Sequence, residues 1–129
     1  MKNSLKIALL EDDDDDQLLF KEAIDSSAIP VELTIFNDGL SLVKELKSEH
    51  TQKFDFIFLD VNAPKIDGIE CLKQIKEDKI HHETDCIVLT TVINEELAKV
   101  VYETGAKQLI KKPDSFEEFE ETIKHIIDK

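Results

Sequence analysis

Three kinds of side chain in this sequence could act together on a phosphoryl group. The carboxylates come first. Glu11 and Asp12 follow the short apolar run Ile7-Ala8-Leu9-Leu10, and Asp60 closes the apolar stretch Phe54 to Leu59. Hydroxyls stand at Thr90-Thr91 after Ile87-Val88-Leu89, and cations at Lys111-Lys112-Pro113 after Leu109-Ile110. Carboxylates gathered without a cation repel and raise each other's pKa. A hard divalent ion with oxygen ligands relieves this, and magnesium does so through one or two carboxylates plus phosphate oxygens. A carboxylate nucleophile, a metal, a hydroxyl donor and an ammonium are the parts that phosphoryl transfer uses. Each residue alone has a plainer reading, since threonine ends many strands and lysine before proline usually faces solvent. The weight rests on their joint occurrence, each after its own apolar run.

Those runs must be the elements that position the site. They are short and partly aromatic or β-branched, which predicts strands buried on both faces. Val31 to Phe36 alternates with Glu32 and Thr34 and suits an edge strand. Helical spacing fills the gaps. Leu18 to Ile24 sets Phe20 over Ile24 and Leu19 over Ala23, and Leu40 to Lys47 sets Leu42 over Leu46, with Val43 beside them. Ile69, Leu72 and Ile75 recur at three, and Leu97 and Val101 at four. Phe116, Phe119, Ile123, Ile126 and Ile127 make the clearest stripe. Ser115 with Glu118 opens that last helix as a capping box, and Lys124, His125 and Lys129 suit its C-terminal dipole.

Five strands alternating with five helices predict an α/β, doubly wound, five-stranded parallel sheet. A dinucleotide-binding half-domain needs a glycine-rich turn after the first strand. The turn here is Glu11-Asp12-Asp13-Asp14, which repels a pyrophosphate. The flavodoxin-like (βα)5 order 2-1-3-4-5 instead puts its ligand site at the carboxyl ends of strands one and three. Glu11, Asp12 and Asp60 converge there. Asp14 to Asp16 are expected to serve the start of the first helix, where its dipole favours acids.

Composition narrows the partners. The 129 residues carry 16 lysines, no arginine and 29 acids, a formal net charge of −13. The unbroken acidic run from Glu11 to Asp16 supplies six of those acids. Such a balance argues against nucleic acid and anionic membranes, both of which need clustered cations. The absence of arginine also leaves lysine as the only source of a fixed cation for phosphate. Hydrophobic content of 41% beside 35% charged residues is globular, and the length suits one domain, residues 1–129. No signal peptide or membrane span is legible. Cys71 and Cys86 lack a CxxC spacing and read as reduced packing residues, so a cytoplasmic location is expected.

The segments LLEDD at 9–13, FLDVNAPKIDG at 58–68, VLTT at 88–91 and KKP at 111–113 resemble the response regulator receiver domain of two-component signalling, the family of CheY. The resemblance runs through nearly the whole chain. It implies that Asp60 accepts the phosphoryl group, that Glu11 and Asp12 hold magnesium, or manganese in its place, and that the Asn62 carbonyl is a further ligand. It implies that Thr90 binds the phosphoryl group after activation and that Lys112 pairs with it. Pro64 and Gly68 would shape the loop after strand three, Gly68 through a backbone conformation that other residues avoid. Ala63 stands where relatives often have methionine. Leu109 stands where many have an aromatic that turns inward, so the usual threonine–aromatic coupling is not expected. Asn62 and Val92 fall at variable positions, and the apolar Val92 points to a long-lived phospho-form.

The implied partners are a sensor histidine kinase, of phytochrome type by the acid-rich opening, and a downstream protein target or phosphotransfer protein. A homodimer through the fourth helix, fifth strand and fifth helix, or through the last helix, fits the same resemblance. No output domain is expected after residue 129. The protein is expected to be a switch rather than an enzyme. Two other readings remain open. One is an unphosphorylated pseudo-receiver acting as an interaction module. The other is a magnesium-dependent aspartyl-phosphate phosphatase, although Asp60-Val61-Asn62 lacks the second acid of the DxD pair such enzymes use. His81-His82-Glu83 matches no common metal spacing and reads as a solvated loop. Tyr102 reads as a core-edge residue, and His50 and His125 have no evident acid–base partner.

Overall fold

The computed structural model describes residues 4–112 and 114–128. Pro113 and Lys129, both singled out above, lie outside the described residues. The apolar runs form strands β1 (Leu5–Leu10), β2 (Val31–Phe36), β3 (Phe56–Asp60), β4 (Asp85–Thr90) and β5 (Gln108–Lys111). The helices between and after them are α1 (Asp14–Ser26), α2 (Gly39–Leu46), α3 (Gly68–Glu77), α4 (Glu95–Thr104) and α5 (Phe116–Ile127). All pairings are parallel, in the order β2-β1-β3-β4-β5. This is the flavodoxin-like order expected from the sequence.

Successive strand side chains point to opposite faces, so each strand feeds two cores. Ile7, Leu9, Phe56, Phe58, Ile87 and Leu89 pack under Phe20 and Ile24 of α1 and Phe119 and Ile123 of α5. Ala8, Leu10, Ile57, Leu59, Cys86 and Val88 pack under α2, α3 and α4. Phe20 meets Phe58 edge-on, ring centres 4.9 Å apart, and Phe119 edge-on at 6.0 Å. Such geometry adds about 0.5–1.5 kcal/mol per pair beyond the area buried. Cys71 and Cys86 are fully buried, and burial pushes each thiol up to about 12. They are packing residues, as expected.

Every described helix starts on a side-chain cap. Asp13, Asp38, Asp67, Asn94 and Ser115 each accept a hydrogen bond from the backbone N–H three residues on. These caps satisfy amides that the helix itself leaves orphaned. They also fix where each helix begins relative to the strand end before it. Ser115→Ala is expected to cost about 0.5–2 kcal/mol, read as a lower urea midpoint with an unchanged slope.

Several sequence expectations need correction. Leu109 and Ile110 were expected to be buried on both faces, yet β5 is the second edge of the sheet and both are half-buried. β3 begins at Phe56, although Phe54 is buried beside it. Leu19 lies on the exposed side of α1. His81 is not solvated. It is fully buried, with Nδ1 3.0 Å from Asp78 Oδ1 and Nε2 3.3 Å from the Gln52 carbonyl. Tyr102 is exposed rather than at the core edge, and its hydroxyl accepts a 3.0 Å hydrogen bond from the Leu109 N–H.

Candidate functional site

The parallel register brings the strand ends together. Leu10 pairs with Leu59, so Glu11 follows beside Asp60, the last residue of β3. Asp60 in turn pairs with Leu89 of β4, and Lys112 follows β5 with its N–H donating to the Thr90 carbonyl at 2.7 Å. Glu11, Asp12, Asp60, Asn62, Thr91 and Lys112 line one open cleft at this edge. Residues from four strand ends, far apart in sequence, thus share one solvent-facing rim.

One lysine partly offsets the acids at the rim. Lys112 Nζ lies 2.8 Å from Glu11 Oε1, 3.1 Å from Asp16 Oδ2 and 3.6 Å from Asp60 Oδ1. The first two are hydrogen bonds, and the third is too long for one. Burial pulls the Lys112 ammonium down, but the hydrogen bonds to Glu11 and Asp16 outweigh it and hold its pKa above the ordinary lysine value. Burial raises the Glu11 carboxyl above its usual range, and the Lys112 bond opposes that rise. Glu11 Oε2 also accepts from the Asp13 N–H at 3.2 Å. Asp60 Oδ1 accepts from the Asn62 N–H at 3.3 Å, which turns the loop after β3 back over the carboxylate. Gln17 Nε2 donates to the Glu11 carbonyl at 2.6 Å and to Asn37 Oδ1 at 2.7 Å, tying this rim to the loop after β2.

The acidic run therefore divides by position. Glu11 is buried on the lysine, Asp12 stands exposed at the cleft, and Asp13 caps α1. Asp16 corrects the expectation that it serves only the helix start, because it grips Lys112. The pair spans 96 positions of sequence, so no local spacing could have revealed it. Its position as third residue of a capped helix was the one available signal.

The donor set suits a hard cation. Glu11, Asp12 and Asp60 each offer one carboxylate oxygen, all within 4.8 Å of one another. Two of these residues are buried and one is exposed. Oxygen-only ligands with one open side match a magnesium or manganese ion that keeps part of its water shell.

Thr90 is placed differently from the other predicted site residues. It is buried at the end of β4, and its hydroxyl donates to the Val92 carbonyl at 3.0 Å and accepts from the Val92 N–H at 3.3 Å. Thr91 lines the cleft instead. Gly68 is also used otherwise than expected. The one described glycine with positive φ is Gly105, at 113°, which ends α4. At Gly68 the constraint is space, because an added Cβ would lie 2.4 Å from the Asp60 carbonyl oxygen.

A five-stranded parallel sheet in the order 2-1-3-4-5, with acids and a lysine gathered at its carboxyl edge, is the architecture of the flavodoxin-like α/β domains. The chain belongs to the response regulator receiver domain family, whose model matches residues 7–124. It is 37% identical over 101 residues to response regulator Rcp1 of Synechocystis sp., covering 75% of this chain and 69% of that protein. The phosphorylated cyanobacterial phytochrome response regulator RcpA superposes with a TM-score of 0.87 at 32% identity, over 95% of this chain and 91% of that one. The Mn(2+)-bound form of Rcp1 gives 0.84 at 31% identity, over 95% and 91%. Some relatives are longer, and this chain spans about half of the length of two of them. Among the described residues, no helix is long and apolar enough to cross a membrane.

Proposed function

We propose that this protein is a phosphorylation-driven switch whose Asp60 accepts a phosphoryl group from the phosphohistidine of a sensor histidine kinase. The observation that carries the reading is the cleft itself. A nearly buried aspartate stands at a strand end, two further acids lie within one cation's reach, and a shared lysine lies 3.6 Å away. An Asp60 oxygen attacks phosphorus in line with the P–N bond. The P–O bond forms as the P–N bond breaks, and its electron pair returns to the imidazole nitrogen. Magnesium or manganese, held by Glu11, Asp12, Asp60 and the Asn62 carbonyl, would neutralise charge on the phosphoryl oxygens. Lys112 supplies the fixed cation that meets those oxygens from the chain itself.

The product adds charge beside the segment from Thr90 to Asn94. The Thr90 hydroxyl would leave the Val92 carbonyl to bond the phosphoryl group, which moves that segment and biases α4. Leu109 carries no ring or hydroxyl to follow it, so the change passes through the backbone and α4. The likeness to a phytochrome response regulator supports a phytochrome-type kinase as the input. A protein target or phosphotransfer protein then reads the switched surface.

The test uses the purified chain with phosphoramidate and magnesium. One phosphoryl group per chain is expected, released by neutral hydroxylamine as an acyl phosphate is. A label that resists hydroxylamine, or no label, sinks the reading.

A further inference from the structure

We propose that Asp16 is a positioning residue that parks the Lys112 ammonium away from the phosphoryl site until the phosphoryl group arrives. This rests on the reading of Asp60 as the phosphoryl acceptor and concerns how that step is held in check.

The geometry is a competition among three carboxylates for one ammonium. The Lys112 backbone is pinned by its N–H on the Thr90 carbonyl at 2.7 Å, so repositioning falls to the side chain. At rest Nζ hydrogen-bonds Glu11 at 2.8 Å and Asp16 at 3.1 Å, and stands off Asp60 at 3.6 Å. An ammonium has three N–H donors, so one is left for a phosphoryl oxygen. Carrying Nζ from its 3.6 Å stand-off toward oxygens beyond Asp60 nevertheless stretches its bonds to Glu11 and Asp16 until one gives way. The two are unequal. The Glu11 side chain is 3% exposed and the Asp16 side chain 38%. A buried carboxylate stripped of its cation is left uncompensated, whereas a partly exposed one falls back on water. The Asp16 bond is therefore the one that breaks.

Asp16 is built to hold this position. It is the third residue of α1, and its N–H is fixed by the Asp13 cap at 2.9 Å. That leaves the side chain as the adjustable part. Asp16 thus sets the resting place of the lysine, and phosphoryl capture exchanges one carboxylate partner for another anion. Asp15, an aspartate in the same turn, is exposed and does not line the cleft.

Three measurements test this at saturating magnesium. Asp16→Asn is expected to accelerate phosphoramidate labelling by about two- to fivefold, the range of a half-exposed ion pair. Asp16→Ser should do the same, and Asp15→Asn should change the rate less than its neighbour does. Placed in a Lys112→Ala background, Asp16→Asn should lose its accelerating effect, because it acts through that lysine. In the metal-free protein, the side-chain ammonium NMR signal of Lys112 should move on Asp16→Asn and stay in place on Asp15→Asn. An unchanged or slower rate, an acceleration that survives without Lys112, or an unmoved ammonium signal overturns the role of Asp16. A wild-type chain that takes no label overturns the signalling reading as well, whereas normal wild-type labelling with no gain in Asp16→Asn overturns the role of Asp16 alone.

Discussion

Asp60→Asn is expected to take up no phosphoryl group from phosphoramidate and magnesium while keeping the wild-type fold. The amide has the shape of the carboxylate but neither its charge nor its nucleophilic oxygen. The site should tolerate it. The Asn62 N–H can still donate to the side-chain oxygen, and Lys112 keeps Glu11 and Asp16 as hydrogen-bond partners. Removing the Asp60 charge also relieves Glu11, whose carboxyl that neighbour helps to raise after burial itself. Stability should therefore equal or slightly exceed that of wild type in urea. Intact-mass analysis reads the result directly. A phosphoryl adduct on the variant, at any residue, would remove Asp60 from its role.

The second large effect is expected at Gly68, at the start of α3. An added Cβ would lie 2.4 Å from the Asp60 carbonyl oxygen, 2.9 Å from its carbonyl carbon and 3.1 Å from Val61 Cα. All three neighbours are backbone and cannot rotate aside. The Gly68 N–H also donates to the Val61 carbonyl at 3.2 Å, which closes the loop tightly after β3. Gly68→Ala must push α3 away or drag the end of β3 with it. Overpacking of this kind costs about 1–3 kcal/mol. Because the displaced backbone is that of the nucleophile, labelling should slow together with the fall in urea midpoint. Wild-type stability and labelling in Gly68→Ala would show that the loop gives way freely.

Sequence and structure agree best where a signal is periodic or sits at an element end. Ile7 to Leu10, Ile87 to Leu89 and the alternating Val31 to Phe36 all form the strands expected of them, and β2 is an edge strand as its alternation implies. Glu11, Asp12, Asp60, Asn62 and Lys112 share one cleft because each follows or ends a strand. Agreement fails where the outcome depends on a distant partner. His81 does lie in a loop but not a solvated one, because Gln52 and Phe54 from before β3 pack on it, with its ring centre 6.3 Å from that of Phe54. Leu109 and Ile110 read like core residues, but among the described residues no strand lies beyond β5 to flank them. Gly68 was read as a matter of torsion and is one of contact distance.

The sequence by itself determined the element order, the flavodoxin-like topology, the family and the identity of the acids and lysine at the strand ends. It could do so because hydrophobic period and strand-end chemistry are local properties. Only the tertiary structure decided how the acids divide their work. It gave Glu11 to the lysine, Asp13 to the helix cap and Asp16 to the resting hold on Lys112, and it turned the Thr90 hydroxyl toward Val92. Six adjacent acids look alike as letters. Their burial and their distance from one ammonium tell them apart, and both come from strands and helices that meet only when the chain is folded.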